Sequence, residues 1–252
     1  MRIAGRGRIV VWEGASLWVM ASAHAHAGTD FHTHHAVQVT ISLGGGFVLR
    51  TPHGSASGPV VAIAADAQHV FEATGTAAFL FIEPESPAGR AIAKRLLASS
   101  SMAEIDPSSL APHIAALRAC FEADGLASEF IAIGRDIVGT IAAEQAMPLP
   151  DPRVRAMIAF IRANLDGALS LHAAAASACL SPSRARHLFA AETGLPFKAY
   201  VLWQRLQRAV EHYAAGHTLT ESAHEAGFAD SAHLSRTFRK TFGIPASLLE
   251  VG

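Results

Sequence analysis

Residues 218–243 read TLTESAHEAGFADSAHLSRTFRKTFG, and their spacing decides how the C-terminal part of the chain folds. Thr218 and Glu221 have capping-box spacing, in which hydroxyl and carboxylate each accept from the other's backbone N–H, so a short helix begins there. Gly227 ends it, and Asp230 caps the next helix. Leu234, Phe238 and Phe242 then recur at helical intervals as an inward stripe, leaving Ser231, Ser235, Arg236, Arg239 and Lys240 outside. A short helix, a tight turn and a second helix with a polar outer face make a helix-turn-helix pattern.

The pattern occurs twice. Residues 170–194 read SLHAAAASACLSPSRARHLFAAETG: Ser170 opens a short helix, Cys179-Leu180 interrupts it, and Ser181 caps a new helix with Pro182 at its first position. On that helix Ala185, Leu188 and Phe189 form one face, and Ser183, Arg186, His187 and Ala190 the other. Ala175 and Cys179 map onto Ala223 and Gly227 at an offset of 48, while Phe189, Gly194 and Pro196 map onto Phe238, Gly243 and Pro245 at 49. One residue is therefore inserted at the turn of the second copy. Between the copies, 197–214 reads as one long helix. Upstream, Asp151 and Pro152 start a helix whose stripe is Val154, Ile158, Ile161 and Leu165, with Gly167 at its end.

Together with Tyr200, Arg205, Arg208, Ala209 and the run Gly227-Phe228-Ala229-Asp230, these positions make residues 153–252 resemble the DNA-binding module of AraC/XylS-type transcription regulators. The resemblance implies a sequence-specific regulator, an activator, whose third and sixth helices enter successive major grooves roughly 34 Å apart. Carried onto this sequence, the DNA-facing residues are Ser183, Arg184, Arg186 and His187 in the first copy, and Ser231, Ala232, Ser235, Arg236, Arg239 and Lys240 in the second. The implied partners are double-stranded promoter DNA, RNA polymerase, a small effector and a second copy of the chain. Three departures stand out. His187 sits where the family usually has Arg, Cys179 replaces the turn glycine, and Ala246, Leu249 and Glu250 replace a Pro, a Tyr and an Arg. Cys179 is read as a small buried hydrophobe.

The first 150 residues have another texture. Within 1–85 the runs 8–13, 16–21, 37–43, 47–50, 60–64 and 78–82 read as short strands punctuated by glycines, among them Gly44-Gly45-Gly46, which suggests a small sandwich or barrel. Residues 86–146 turn Ala/Ile/Leu-rich with helical spacing, and 109–144 reads either as a dimerisation surface or as packing against the barrel. Residues 147–152 hold Pro148, Pro150 and Pro152 and form a linker before 153–252. The fold class is α+β: a sensor barrel, a helical segment, then an all-α module.

Seven of the fourteen histidines lie between His24 and His69. Period-two alternation puts His32, His34, Gln38, Thr40 and Ser42 on one face of a strand. This is similar to the first cupin motif, His-x-His followed by a carboxylate, with 64–69 in the place of the second motif. Gln38 stands where the acidic ligand belongs, and Ala64 and Asp66 replace a Pro and a Gly. His32, His34 and His69 could thus hold a divalent metal, or they and Gln38 could edge an effector pocket whose apolar lining draws on Val37, Phe47, Val60, Phe71 and Phe79. A metal-sensing regulator and a cupin-type metalloenzyme are the alternatives; the missing carboxylate and the lack of a Ser/His/Asp or Cys/His nucleophile pattern speak against an enzyme.

Composition agrees with this division. The 252 residues are 50% hydrophobic and 16% charged, a globular balance with a net charge of -1. Residues 1–150 carry 9 Lys/Arg against 13 Asp/Glu, whereas 151–252 carry 11 against 8, so the basic half is the helix-turn-helix half. Cys120 and Cys179 make no disulfide framework, which fits a reducing compartment. Arg2, Arg6 and Arg8 followed by an apolar stretch imitate a leader, but Glu13 and Gly14 interrupt it, and no run is long enough to span a membrane. A cytoplasmic protein is expected.

Overall fold

A computed structural model describes residues 7–21, 27–143 and 147–249. His24, His26, Glu144 and Glu250 lie outside the described residues. Contacts divide the chain into two units, the first comprising Met1–Pro84, Ala88–Met147 and Phe238–Gly252, the second Glu85–Pro87 and Pro148–Thr237.

The first unit is built on an antiparallel ladder between β4 (Val37–Thr51) and β7 (Val70–Ile82). On one side β7 pairs with β2 (Ala15–Ala21), which pairs with β1 (Gly7–Trp12), the hairpin that the leader-like N-terminal stretch forms. On the other, β4 pairs with β6 (Val60–Ile63) and β6 with β8 (Met102–Glu104), while β3 (Ala27–Gly28) and β5 (Gly54–Ala56) join β7 and β4. The triple glycine, expected to separate two strands, instead lies within β4. Gly45 and Gly75 face each other across the ladder at φ +90° and +82°, and a Cβ on either would stand about 2 Å from a carbonyl oxygen of the other strand.

Just before these glycines the register shifts, with Ser42 opposite Ala77 and Gly44 opposite Thr76. One extra residue in β4 inverts its alternation, as a β-bulge must. Val37, Val39, Ile41 and Leu43 therefore pack on one face of the sheet, and Phe47 and Leu49 on the opposite one with Phe71 and Phe79. The expectation that Val37, Phe47, Val60, Phe71 and Phe79 share one interior is corrected accordingly. Val37 and Val60 belong to the other face, because both faces of the sheet are covered.

That face is covered by α1 (Pro87–Leu96), α2 (Ala111–Glu122) and α3 (Ala127–Ala142), through Ile92, Leu117, Phe121, Phe130, Ile137 and Ile141. The stripe of the helical segment is thus spent on packing against the sheet.

The second unit holds α4 (Pro152–Ala163), α5 (Leu171–Ser177), α6 (Pro182–Thr193), α7 (Phe197–Ala214), α8 (Leu219–Glu225) and most of α9 (Ser231–Phe242). Asp151, Ser170 and Ser181 each accept a backbone N–H of the first turn that follows, and Thr218 with Glu221 forms the full capping box. Val154, Ile161, Phe189 and Tyr200 are at its core. No described helix is long and apolar enough to cross a membrane.

Cys179 corrects the sequence reading: it is exposed, and its φ is +53°. It occupies the left-handed position that Gly227 fills at φ +76° in the second copy. A side chain there costs backbone energy without gaining burial. Cys179→Gly is expected to stabilise the chain by about 0.5–1 kcal/mol in urea unfolding followed by circular dichroism. A lower midpoint would mean that the sulfur makes a contact worth more than the backbone relief.

Candidate functional site

The two helix-turn-helix copies share their hydrogen bonds as well as their sequence. In the first, the N–H of Leu180 donates to the carbonyl of Ala175 at 2.9 Å; in the second, Phe228 donates to Ala223 at 2.8 Å. Ser181 Oγ accepts from Arg184 N at 3.3 Å, and Asp230 Oδ1 from His233 N at 2.6 Å. These equivalent bonds fix the turn and the start of α6 and α9 in the same way.

On α6, Ser183, Arg184, Arg186 and His187 are all exposed, with Ala185 and Phe189 buried opposite. On α9, Ala232, Arg236, Arg239 and Lys240 are exposed, and Ser231 and Ser235 are partly covered. All ten sequence-predicted DNA-facing residues thus lie on accessible sides of α6 or α9. Arg239 differs from the rest, since its guanidinium lies 3.0 Å from the Asp30 carboxylate.

The second constellation lies in the first unit, on the sheet face opposite α1–α3. His32 and His69 form an antiparallel bridge, exchanging N–H to carbonyl bonds of 2.9 and 3.0 Å, which carries His32 beside the loop after β6. His34 follows on the same side, and ligand-capable nitrogens of the three rings lie within 4.8 Å of one another. All three residues are buried; the alternation read from the sequence groups His32 with His34, the motif resemblance adds His69, and the first two lie just ahead of β4 rather than in it.

Each ring is oriented by its other nitrogen. Nδ1 of His32 lies 2.9 Å from the carbonyl of Asp30, and Nδ1 of His69 lies 2.9 Å from that of Ala67. A carbonyl only accepts, so both Nδ1 atoms carry the proton and both Nε2 atoms keep a lone pair. Nε2 of His34 donates to Gln38 Oε1 at 2.9 Å, and the amide of Gln38 donates in turn to Thr40 Oγ1 at 2.8 Å. This leaves the lone pair of His34 on Nδ1. Gln38, read as the replacement of an acidic ligand, is instead the group that orients His34. Neither His34 Nδ1 nor His69 Nε2 has a hydrogen-bond partner among the described residues.

Burial keeps the imidazoles neutral. It pushes His34 well below the ordinary histidine value, with His69 and His32 adding repulsion, and it pushes His69 down to about 4, with His32 adding to the effect. His32 is lowered by burial too, partly offset by its bond to the Asp30 carbonyl and by the Asp30 charge. His35, the remaining histidine of the run, pairs with Asp66 at 3.0 Å. Asp66 takes the left-handed conformation, φ +60°, where the resembled motif has glycine.

His32, His69 and Gln38 form the polar edge of a cavity of about 80 Å³ whose remaining lining is almost wholly apolar, including Trp18, Phe71 and Phe81. Among the described residues that line it, none is a Lys, Arg, Asp or Glu. Phe242, Ile244 and Leu249 complete the wall. The local sequence reading missed this, because nothing in residues 242–249 signals a partner far away in the chain. Asp30 anchors the closure: its N–H donates to the carbonyl of Gly243 at 2.9 Å, its carbonyl orients His32, and its carboxylate meets Arg239. Trp18 stacks on Phe238 at 6.3 Å and tilts against Phe242 at 4.9 Å.

Gly243 has φ +71°, and a Cβ there would stand 2.5 Å from the Asp30 carbonyl oxygen and 2.7 Å from Nδ1 of His32. Gly243→Ala is therefore expected to destabilise the chain by on the order of 2 kcal/mol. An unchanged urea midpoint would show that residues 29–32 retreat without cost.

Comparison with known proteins gives one family match, a "Helix-turn-helix domain" over residues 174–249. No curated protein matches the chain. Among solved structures, ToxT from Vibrio cholerae O395 is similar over 94% of this chain and 97% of its own, with a TM-score of 0.60 and 9% identity. The same protein bound to (E)-4-(8-methylnaphthalen-1-yl)but-3-enoic acid gives 0.59, at 9% identity over 94% of this chain and 98% of that one. Unsaturated fatty acid bound ToxT from Vibrio cholerae strain SCE256 gives 0.55, at 10% identity over 96% and 98%. At such identities the likeness is one of fold.

Proposed function

We propose that this chain, which matches a helix-turn-helix domain over residues 174–249, is a sequence-specific transcription regulator of the AraC type whose DNA binding responds to a small, largely apolar ligand held in the first unit. The observation that carries the DNA-binding part is the pair of equivalent turns, each delivering a helix with an exposed basic side. In this reading Ser183, Arg184, Arg186 and His187 of α6 and Ser231, Ala232, Ser235 and Arg236 of α9 meet base edges and nearby phosphates, and Arg239 and Lys240 meet phosphates. Promoter DNA in the cytoplasm is the partner. The proposal extends to activation through contact with RNA polymerase and to a homodimer, both implied by the family resemblance.

The ligand part rests on the cavity. ToxT, similar in fold, is known bound to an unsaturated fatty acid; what this chain has in common with such a ligand is an apolar lining. At about 80 Å³ the cavity is well below the roughly 300–1,000 Å³ of ordinary ligand pockets, so a larger molecule has to part its walls. One of those walls, Phe242, is the last residue of α9, which gives the ligand a differential hold on a DNA-facing helix. Against the metalloenzyme alternative, the motif's carboxylate is replaced by Gln38, whose amide is engaged with His34 and Thr40.

At physiological salt, the full chain is expected to bind a DNA site selected from a random pool roughly 10³-fold or more tighter than scrambled DNA. Equal affinities would leave only electrostatic attraction and defeat the proposal. Arg186→Ala should cost about 1–3 kcal/mol and relax preference at one base pair, whereas Lys240→Ala should weaken all sequences alike and lower the salt slope by about 1. Uniform weakening by the Arg186 variant would reassign it to a phosphate.

A further inference from the structure

We propose that His32, His34 and His69 bind one divalent transition-metal ion of the zinc, iron, cobalt or nickel class, with its open side toward the apolar cavity. The site goes beyond the regulator reading and does not depend on it.

Three independent features converge on it. The first is the donor set. Three imidazoles from two separate stretches of chain bring ligand-capable nitrogens within 4.8 Å of one another in a buried place, a spread that side-chain rotation about one ion can close. The second is protonation geometry. Each ring hands its N–H to an oxygen, the carbonyl of Asp30, the amide oxygen of Gln38 or the carbonyl of Ala67, and so presents the opposite nitrogen as a lone pair. Such outer partners are what metal-bound histidines use to fix tautomer and ring direction. The third is the unmet demand of the cluster. His34 Nδ1 and His69 Nε2 are buried without a hydrogen-bond partner among the described residues, an unmet cost that a metal ion removes.

Ligand chemistry narrows the ion. The set holds neither carboxylate nor thiolate, which disfavours magnesium and calcium on one side and copper(I) on the other, and suits borderline ions that accept imidazole. Three histidines leave at least one coordination position, and two of them, His32 and His69, edge the cavity. Among the described residues no Lys or Arg lines that cavity. An apolar molecule with an anionic or lone-pair head would therefore find its polar partner in the ion.

The test uses the full tag-free chain, stripped with chelator and titrated with cobalt(II) alone. One equivalent per chain is expected, with visible ligand-field absorption that zinc(II) abolishes. His34→Ala and His69→Ala should each remove binding, and His53→Ala, an exposed histidine outside the cluster, should leave it intact. Gln38→Ala, at a positioning residue, should keep the stoichiometry and weaken affinity by about 10–100-fold. Because loss of a buried imidazole can also unfold the chain, X-ray absorption of the zinc-loaded wild type gives a reading free of variants, with three imidazole ligands expected. No cobalt or zinc uptake by the folded wild type, fewer than three imidazoles on the metal, or uptake retained in both alanine variants would overturn the proposal.

Discussion

One extra residue in the long β4–β7 ladder determines what the first unit can do. Without the register shift between Ser42 and Gly44, Phe47 and Leu49 would fall on the same face as Val37, Val39 and Ile41. With it, Val37, Val39 and Ile41 serve the face covered by α1–α3, and Phe47 and Leu49 serve the other. Gln38 and Thr40, which alternate with Val37, Val39 and Ile41 ahead of the shift, point to the cavity side and orient His34. The cluster and the cavity exist because the sheet has two covered faces.

The cavity side is closed by the C-terminal segment. Trp18 meets Phe238 and Phe242, the N–H of Asp30 holds Gly243, and Ile244 and Leu249 line the same space. α9 therefore has two occupations along its twelve residues. Its first turns carry residues proposed to face DNA, and its last turn is a wall of the cavity. In the proposed function, a ligand in the cavity acts on α9 through Phe242 at its end. The exposed Arg239–Asp30 pair adds little energy to this closure, and the aromatic contacts and the Gly243 bond carry it.

Much of this was legible in the sequence. Caps at Ser170, Ser181 and Thr218, stops at Gly194 and Gly227, and the offset duplication are local signals, and local physics decides them. Alternation along 32–42 was equally local and put His32, His34 and Gln38 together. The role of Gln38 was not legible, because ligand and orienting partner have the same spacing and differ only in which atom they face. Val37 and Val60 were placed on the wrong side since a bulge among three glycines looks like a turn until its partner strand is known. Cys179 was read as buried because its position resembles a packed one, although the left-handed turn points its side chain outward. Phe242 reads as part of the inward stripe of α9, but nothing in it, Ile244 or Leu249 points to partners such as Trp18 and His32, more than two hundred residues away in sequence.

In the proposed response to ligand, the state of the cavity wall is felt along α9. Hydrogen–deuterium exchange of the full chain, wild type against Trp18→Ala, is the measurement to make, since Trp18 is buried against Phe238 and Phe242. Faster exchange throughout 231–249, with 182–193 unchanged, is the predicted result. Unchanged protection of α9 in a variant whose sheet remains protected would contradict the claim and separate the cavity from the helix.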